Sequence, residues 1–262
     1  MRRKLLGTAA ALLAASFAVP AAGQDGNGQL PAEHARFIAS NSTSTLYHEL
    51  GHALIDTMEL PMLGKEEDAA DIFSVVLIDY LNDGASADKI ARDTAQYYLL
   101  EDKRREEQGY AYNFSGEHSP YIQRHYLVAC LHYGANPSVR QPFLASFTVP
   151  DEMIATCAYR RKAAEDGWQW VLRQIHLSRG GGPSVTFRED YQPVTEAEIA
   201  ARDAIRAEAQ YLAESFTLPV AVSVAFADCD GDQNAYYYPD ETEIVFCREY
   251  AADLLNLIES KP

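Results

Sequence analysis

Residues 47–52 read Tyr-His-Glu-Leu-Gly-His, and this stretch decides the fold prediction. On a helix, His48 and His52 project from one face, one turn apart. Two neutral imidazoles at that spacing can bind one zinc ion, each at roughly 2.0–2.1 Å. Glu49 is rotated about 100° around the helix from His48, so it lies beside the metal without ligating it. In H-E-x-x-H enzymes this glutamate is the general base acting on metal-bound water.

The surroundings of the motif predict a buried helix over residues 44–58. Its apolar residues recur at helical spacing, namely Leu46, Leu50, Ala53 and Leu54. The alternative is a surface helix carrying two solvated histidines. Histidines on a buried helix need polar partners, because an unpaired buried polar group is costly.

Carboxylates that can serve as these partners follow in residues 66–71, Glu-Glu-Asp-Ala-Ala-Asp, on a helix predicted over 65–82. A catalytic zinc site has three protein ligands and one open position. A ligand histidine usually donates its second N–H to a carboxylate. Glu67 and Asp71 are four residues apart, so one can reach the metal while the other holds a histidine. The alternative is an acidic, solvated first turn, which helix N-termini favour.

Together the two motifs resemble the gluzincin metallopeptidases, whose second helix carries E-x-x-x-D. The wording of residues 48–56 and 60–71 also resembles a bacterial metallopeptidase family of unknown function. The resemblance implies zinc ligands at His48, His52 and Glu67. It further implies Glu49 as the general base and Asp71 as the partner of a ligand histidine. Glu66 is the competing third ligand, ranked lower because no acidic residue follows it four positions later.

The composition predicts an exported protein. Residues 1–23 have a basic start, an apolar run and a small-residue end, which are typical of a signal peptide. The 262-residue chain has 22 basic and 38 acidic residues, a net charge of −16, and losing the signal would remove three more positive charges. This balance argues against nucleic acid and anionic membranes as partners. We expect a secreted or periplasmic protein with no membrane span after signal cleavage.

Four cysteines in an exported chain favour disulfides. Three pairings are possible, and the sequence-local one is preferred, Cys130 with Cys157 and Cys229 with Cys247. A Cys/His zinc site is the alternative, but the spacings are wide and there is no C-x-x-C.

The sequence predicts one mostly helical α+β domain, zincin-like, over residues 24–262, with a small antiparallel sheet or hairpin. Residues 24–178 form the metal-site part, 179–194 a glycine-rich linker, and 195–262 a helix with a hairpin. A polar lead is expected over 24–40. Further helices are expected at 86–107, 119–134, 150–176, 195–216 and 248–259, and a strand at 218–227.

His118 precedes the helix predicted at 119–134. It resembles the histidine that stabilises the developing oxyanion in thermolysin-like gluzincins, a task the chemistry requires. A loop histidine with a local hydrogen bond is an equal alternative. Lesser candidates for the oxyanion are Tyr110, Tyr112 and Arg124. Three other histidines are expected to pack or face solvent, namely His125, His132 and His176.

Asn234 and Ala235 open the predicted hairpin and resemble the Asn-Ala-aromatic edge strand that holds an extended substrate in thermolysin-like enzymes. A plain hairpin with an aromatic face is the alternative. In gluzincins this strand precedes H-E-x-x-H, whereas here it follows. We therefore hypothesise a circular permutation, which requires the C-terminal helix to finish near the start of the metal helix.

The sequence as a whole predicts a secreted or periplasmic zinc metallopeptidase acting on peptides or proteins. One alternative is a non-catalytic protein that keeps zinc for stability or partner binding. The other is a zinc hydrolase of non-peptide substrates.

Overall fold

The computed structural model describes residues 30–177 and 184–261. The predicted signal peptide and residues 179–183 of the predicted linker lie outside them. The helices are α1 Ala32–Thr57, α2 Glu66–Leu81, α3 Gly84–Glu107, α4 Tyr121–Ala135, α5 Gln141–Leu144, α6 Asp151–Ile154, α7 Cys157–Leu177, α8 Glu196–Ser215 and α9 Arg248–Glu259. The strands are β1 Val185–Glu189, β2 Val222–Ala227, β3 Ala235–Tyr238 and β4 Glu243–Cys247. This is the mostly helical α+β fold that the sequence predicts.

Helix α1 is the central element, and it packs against α2, α3, α8, α9 and β3. It begins at Ala32, so the prediction of a polar lead over 24–40 is wrong from that residue onward. The helix continues through a buried run of small polar residues at 40–44. Asn41 donates to the Phe37 carbonyl at 2.8 Å, and Ser44 and Ser74 hydroxyls lie 3.2 Å apart. These side chains therefore pack inside the domain although their composition resembles a loop.

Helix α2 crosses α1 at the motif, and Gly51 makes the close approach possible. A Cβ atom at Gly51 would lie 3.1 Å from Ala70 Cα and 3.2 Å from Phe73 Cδ1. Both distances are shorter than ordinary van der Waals contact. A side chain at position 51 would therefore push α2, and with it Glu67 and Asp71, away from the histidines.

Helices α3, α4 and α7 form a second layer beside α2. The predicted Cys130–Cys157 disulfide is formed, and it ties α4 to the start of α7. The helix predicted over 150–176 is interrupted, since α6 ends at Ile154 and α7 begins at Cys157. The disulfide fixes the chain at this break. Gly134 allows the close approach of α4, because a Cβ atom there would clash with the Cys157 carbonyl group.

The sheet has the order β1-β2-β4-β3. Only β3 and β4 are antiparallel, while β1 pairs with β2, and β2 with β4, in parallel. The prediction of an antiparallel sheet therefore holds for the hairpin alone. Strand β1 occupies part of the predicted linker 179–194, because Val185 is buried and pairs with Val222. Thr195 and Glu198 form the predicted capping box of α8.

Strand β3 is the edge of the sheet nearest α1, and the Tyr237 hydroxyl donates to Asp56 of α1 at 2.8 Å. The predicted Cys229–Cys247 disulfide closes the loop that leads into β3. Residues from the end of α9 and the start of α1, including Ile258 and Phe37, line one surface depression. The two ends are therefore close together, as the permutation hypothesis requires. Among the residues described, no helix is sufficiently long and apolar to cross a membrane.

Candidate metal centre

His48 and His52 lie one turn apart on α1 and direct their Nε2 atoms to the same point. These two atoms are 3.2 Å apart, and the rings meet edge to face with centroids separated by 4.9 Å. His48 is buried, and His52 lies at the border of the cleft. The i, i+4 spacing thus places both imidazoles as the helix geometry requires.

Glu67, in the first turn of α2, brings a carboxylate to the same point. Its Oε2 lies 3.1 Å from His48 Nε2 and 3.5 Å from His52 Nε2. One ligand atom from each of these three residues lies within 4.8 Å of the other two. Two imidazole nitrogens and one carboxylate oxygen form a donor set that zinc uses in catalytic sites. These residues could therefore hold a metal ion at the floor of the cleft.

Glu66 occupies a different place. Its Oε1 lies 2.8 Å from His52 Nδ1, the nitrogen that faces away from the three-residue cluster. Its side chain is about half exposed, whereas that of Glu67 is 18% exposed. Glu66 therefore contacts His52 from outside the cluster.

Asp71 lies behind His48, with its Oδ1 2.9 Å from His48 Nδ1. Arg124 donates to both Asp71 oxygens at 2.7 Å, and the Tyr98 hydroxyl donates at 3.2 Å. Burial works to raise the pKa of Asp71, but the charge of Arg124 and these hydrogen bonds hold the pKa well below its usual range. Asp71 is therefore an ionised carboxylate inside the protein.

The centre favours positive charge. Burial works to lower the pKa of His48, but hydrogen bonds to Asp71 and Glu67 overcome it and raise the pKa to about 9. Burial would raise the pKa of Glu67, yet hydrogen bonds from His118, His48 and His52 hold this pKa far below its usual range. The same surplus of negative charge would stabilise a divalent cation.

Glu49 faces the cleft one position after His48. It is 7% exposed, and among the described residues no group donates a hydrogen bond to its carboxylate. Burial raises the pKa of its carboxyl, which nearby histidines partly offset. An uncommitted carboxylate with a raised pKa can accept and return a proton.

His118 reaches the centre from the loop before α4. Its Nε2 lies 2.8 Å from Glu67 Oε2, and its ring stacks at 6.4 Å from that of His48. The side chain is half exposed and lines the cleft. Of the lesser oxyanion candidates, Arg124 is committed to Asp71, and the two tyrosines lie farther out along the cleft.

The three histidines predicted to pack or face solvent lie away from the centre. A ring nitrogen of His125 contacts the Ala95 carbonyl at 2.7 Å, and His132 is buried beside Asp79 and Asp88. His176 contacts Tyr80. None of the three lines the cleft.

Asn234 and Ala235 form one wall of the cleft, which has a volume of about 580 Å³. The Cys247 amide donates to the Asn234 carbonyl at 3.1 Å, so the Asn234 carbonyl faces β4. Backbone groups alternate in direction along an antiparallel strand, so those of Ala235 and Tyr237 face the free edge. A further hollow of about 530 Å³ shares His118, Glu117 and Asn234 with this cleft. The two form one extended groove across the centre.

Sequence reasoning missed the contacts of Arg124 and Tyr98 with Asp71, and that of Glu66 with His52. Arg124 lies 53 positions after Asp71, and no local pattern links the two residues. The pairing arises only when α2, α3 and α4 pack together. Glu66 lies 14 positions after His52 and on a different helix. This spacing does not predict a contact between the two residues.

A family model described as "Putative metallopeptidase" matches residues 17–172, more than half of the chain. The matched part contains the three-residue cluster, Glu49, Asp71 and His118, whereas the sheet lies beyond it. No curated protein and no solved structure matches the sequence significantly. The family implies a metal ion, and the cluster of two histidines and one glutamate provides a place for it. The chain belongs to this family of putative metallopeptidases.

Proposed function

We propose that the protein is an exported zinc-dependent peptidase, with His48, His52 and Glu67 as ligands and Glu49 as the general base. One observation carries the proposal. Three ligand atoms converge at the floor of an open groove, beside the buried Glu49 carboxylate, which accepts no hydrogen bond from any described residue. Zinc is the metal that this set of two imidazoles and one carboxylate fits best.

A bound zinc ion would polarise the scissile carbonyl and make the attacking water more acidic. Glu49 then takes the proton from that water and returns it to the leaving amine. Its burial supports this role, because the raised pKa brings the carboxyl nearer to neutral pH. His118 Nε2 contacts Glu67 Oε2, and its half-exposed ring lines the groove. With that oxygen on the zinc, Nε2 would be able to donate to the developing oxyanion.

The edge strand supports a peptide as substrate. An extended chain can add to a free strand edge through main-chain hydrogen bonds. Ala235 and Tyr237 offer such groups along the groove, and the side chain of Asn234 lies beside them. A hydrolase of small non-peptide substrates would have no use for this edge, and a zinc-stabilised binding protein would have no use for an uncommitted Glu49.

Export and a permuted chain order are part of the same proposal. Two disulfides are typical of oxidising compartments outside the cytosol. A permuted zincin-like domain requires its edge strand beside the metal helix and its C-terminal helix near the start of that helix. The Tyr237–Asp56 hydrogen bond and the shared depression between α9 and α1 support both requirements.

The test measures zinc content and peptide hydrolysis of the purified mature protein and its Glu49→Gln variant. We expect about one zinc per chain in both. The substitution should lower kcat by about 10²–10⁴-fold, because general-base catalysis contributes that much. Glu33→Gln, at the exposed start of the same helix, is the matched control and should leave kcat unchanged.

Other outcomes distinguish the alternatives. A wild type that binds zinc but turns over no peptide, ester or amide would favour the binding protein. Turnover of small esters or amides alone would favour the non-peptide hydrolase. A wild type that binds no zinc after reconstitution would overturn the metallopeptidase proposal.

A further inference from the structure

The carboxylate of Asp71 receives four contacts from three different residues. Two come from Arg124, one from the Tyr98 hydroxyl and one from His48 Nδ1. Asp71 is 3% exposed, so water contributes little to its solvation. A buried carboxylate with both oxygens engaged has very little freedom to rotate.

These contacts determine which nitrogen of His48 carries a hydrogen toward Asp71. A guanidinium can only donate, and it keeps the facing carboxylate ionised. The ionised Asp71 can only accept, so Nδ1 of His48 is the donor. Nε2 of His48 is then the atom that faces Glu67 and His52. Arg124 therefore acts on the metal centre through one intermediate residue.

Arg124 is itself held in place. Its guanidinium carbon lies 4.4 Å from the centre of the Tyr98 ring, within the range of cation–π attraction. The side chain is buried between the cleft at the metal centre and the further hollow beside it. The start of α4 is fixed as well, because Asp102 accepts from the Ile122 amide at 3.2 Å. Helices α2, α3 and α4 thus converge on a single carboxylate.

We propose that Arg124 is a positioning residue of the metal centre, supported by Tyr98. It holds Asp71 in the one orientation that turns Nε2 of His48 toward the metal. The inference rests on the proposed function in treating His48 as a zinc ligand. Removing Arg124 would take from Asp71 its counter-charge and two hydrogen bonds, and the carboxylate would then be free to turn away from His48.

The chain offers a matched control in Arg161. This arginine lies on α7 and is also buried. It donates to Asp79 and to Glu165 at 2.7 Å each. It contacts none of the three cluster residues. Arg124→Met takes from Asp71 its guanidinium partner, and Arg161→Met takes from Asp79 one of two, since Arg140 also donates to Asp79. Both variants should therefore lower stability. Only Arg124→Met should alter the centre.

The first measurement is zinc affinity by competition with a chromogenic chelator. We expect Arg124→Met to weaken binding by about 10–100-fold, the effect typical of a residue that holds a ligand in place. Arg161→Met should bind zinc within about twofold of the wild type. Equal affinity of Arg124→Met and wild type would overturn the inference, as would equal losses in both variants.

The second measurement follows the Nδ1 proton of His48 by NMR in metal-free protein, assigned by its loss in His48→Gln. The wild type should show a downfield, slowly exchanging signal, which Arg124→Met should lose and Arg161→Met should keep. Persistence in Arg124→Met would overturn the inference. If the wild type binds no zinc, the proposed function fails, while this signal still decides the role of Arg124.

Two milder variants keep the test valid if Arg124→Met does not fold. Tyr98→Phe removes one hydrogen bond to Asp71 and should weaken zinc binding by roughly 2–10-fold, the worth of one hydrogen bond. Tyr133→Phe is its control, because that buried tyrosine contacts Gln141 and not the centre. Equal zinc affinity of the two variants would argue against a role for the contacts to Asp71 in positioning His48.

Discussion

Glu66 and Glu67 are adjacent in sequence, yet their carboxylates contact opposite ring nitrogens of His52. Glu66 Oε1 lies 2.8 Å from Nδ1, and Glu67 Oε2 lies 3.5 Å from Nε2. Successive residues on a helix point about 100° apart, which accounts for the separation. The two acids therefore have different expected roles, one inside the cluster and one outside.

Glu67→Ala should abolish stoichiometric zinc binding, because the cluster would keep only two ligands. Glu66→Ala should retain the zinc and weaken its binding by about 10–100-fold at most, since it removes a partner of a ligand. Zinc content after dialysis, measured by atomic emission, checks both. Loss of zinc in Glu66→Ala with retention in Glu67→Ala would exchange the two roles.

The stability of the metal-free protein should depend on pH through His48. Its pKa is raised from 6.5 to about 9 in the folded state, so the protonated form stabilises the fold. This contribution is fully present below pH 6.5 and is lost as the pH rises toward 9. Urea unfolding of chelator-treated protein should therefore give a smaller free energy of unfolding at pH 9 than at pH 6.5. His48→Gln should flatten this dependence, and an unchanged slope in that variant would contradict the assignment.

Gly51→Ala should damage both stability and the centre. The added methyl group would lie 3.1 Å from Ala70 Cα, so the backbones of α1 and α2 must separate. We expect a loss of about 1–3 kcal/mol in the free energy of unfolding, as for overpacked cores. Zinc affinity should fall as well, because Glu67 moves with α2.

Gly167→Ala is the matched control for this substitution. Gly167 is an exposed residue inside α7, and an added Cβ would have no atom within 4 Å. Alanine is the better helix former, so this change should stabilise the protein by about 0.5–1 kcal/mol. Chemical denaturation of the two variants side by side checks the contrast.

Asn234→Ala should reduce kcat/KM for peptides by roughly 2–10-fold, mainly through KM, because it removes one hydrogen bond to an extended substrate. Gln233→Ala changes the preceding exposed residue, which does not line the groove, and should have no effect. Steady-state kinetics on a fluorogenic peptide checks the difference. Identical KM values in the two variants would leave the edge strand without a role in binding.

The sequence by itself was sufficient for pairs of residues that are neighbours through local helical spacing. The i, i+4 pair of His48 and His52, the pair of Glu67 and Asp71, and the capping box of α8 each lie within one or two helical turns. Helix geometry fixes such neighbours regardless of the rest of the chain. The short separations within each cysteine pair likewise allowed both disulfides to be predicted.

Only the tertiary structure decided what depends on distant segments meeting. Strand β1 forms because Val185 pairs with Val222, and Ser44 of α1 is accommodated inside the domain because its hydroxyl meets that of Ser74 on α2. The contact of Arg124 with Asp71 follows from how closely α4 packs against α2. This approach is set by packing between helices, which the periodicity of one segment does not encode.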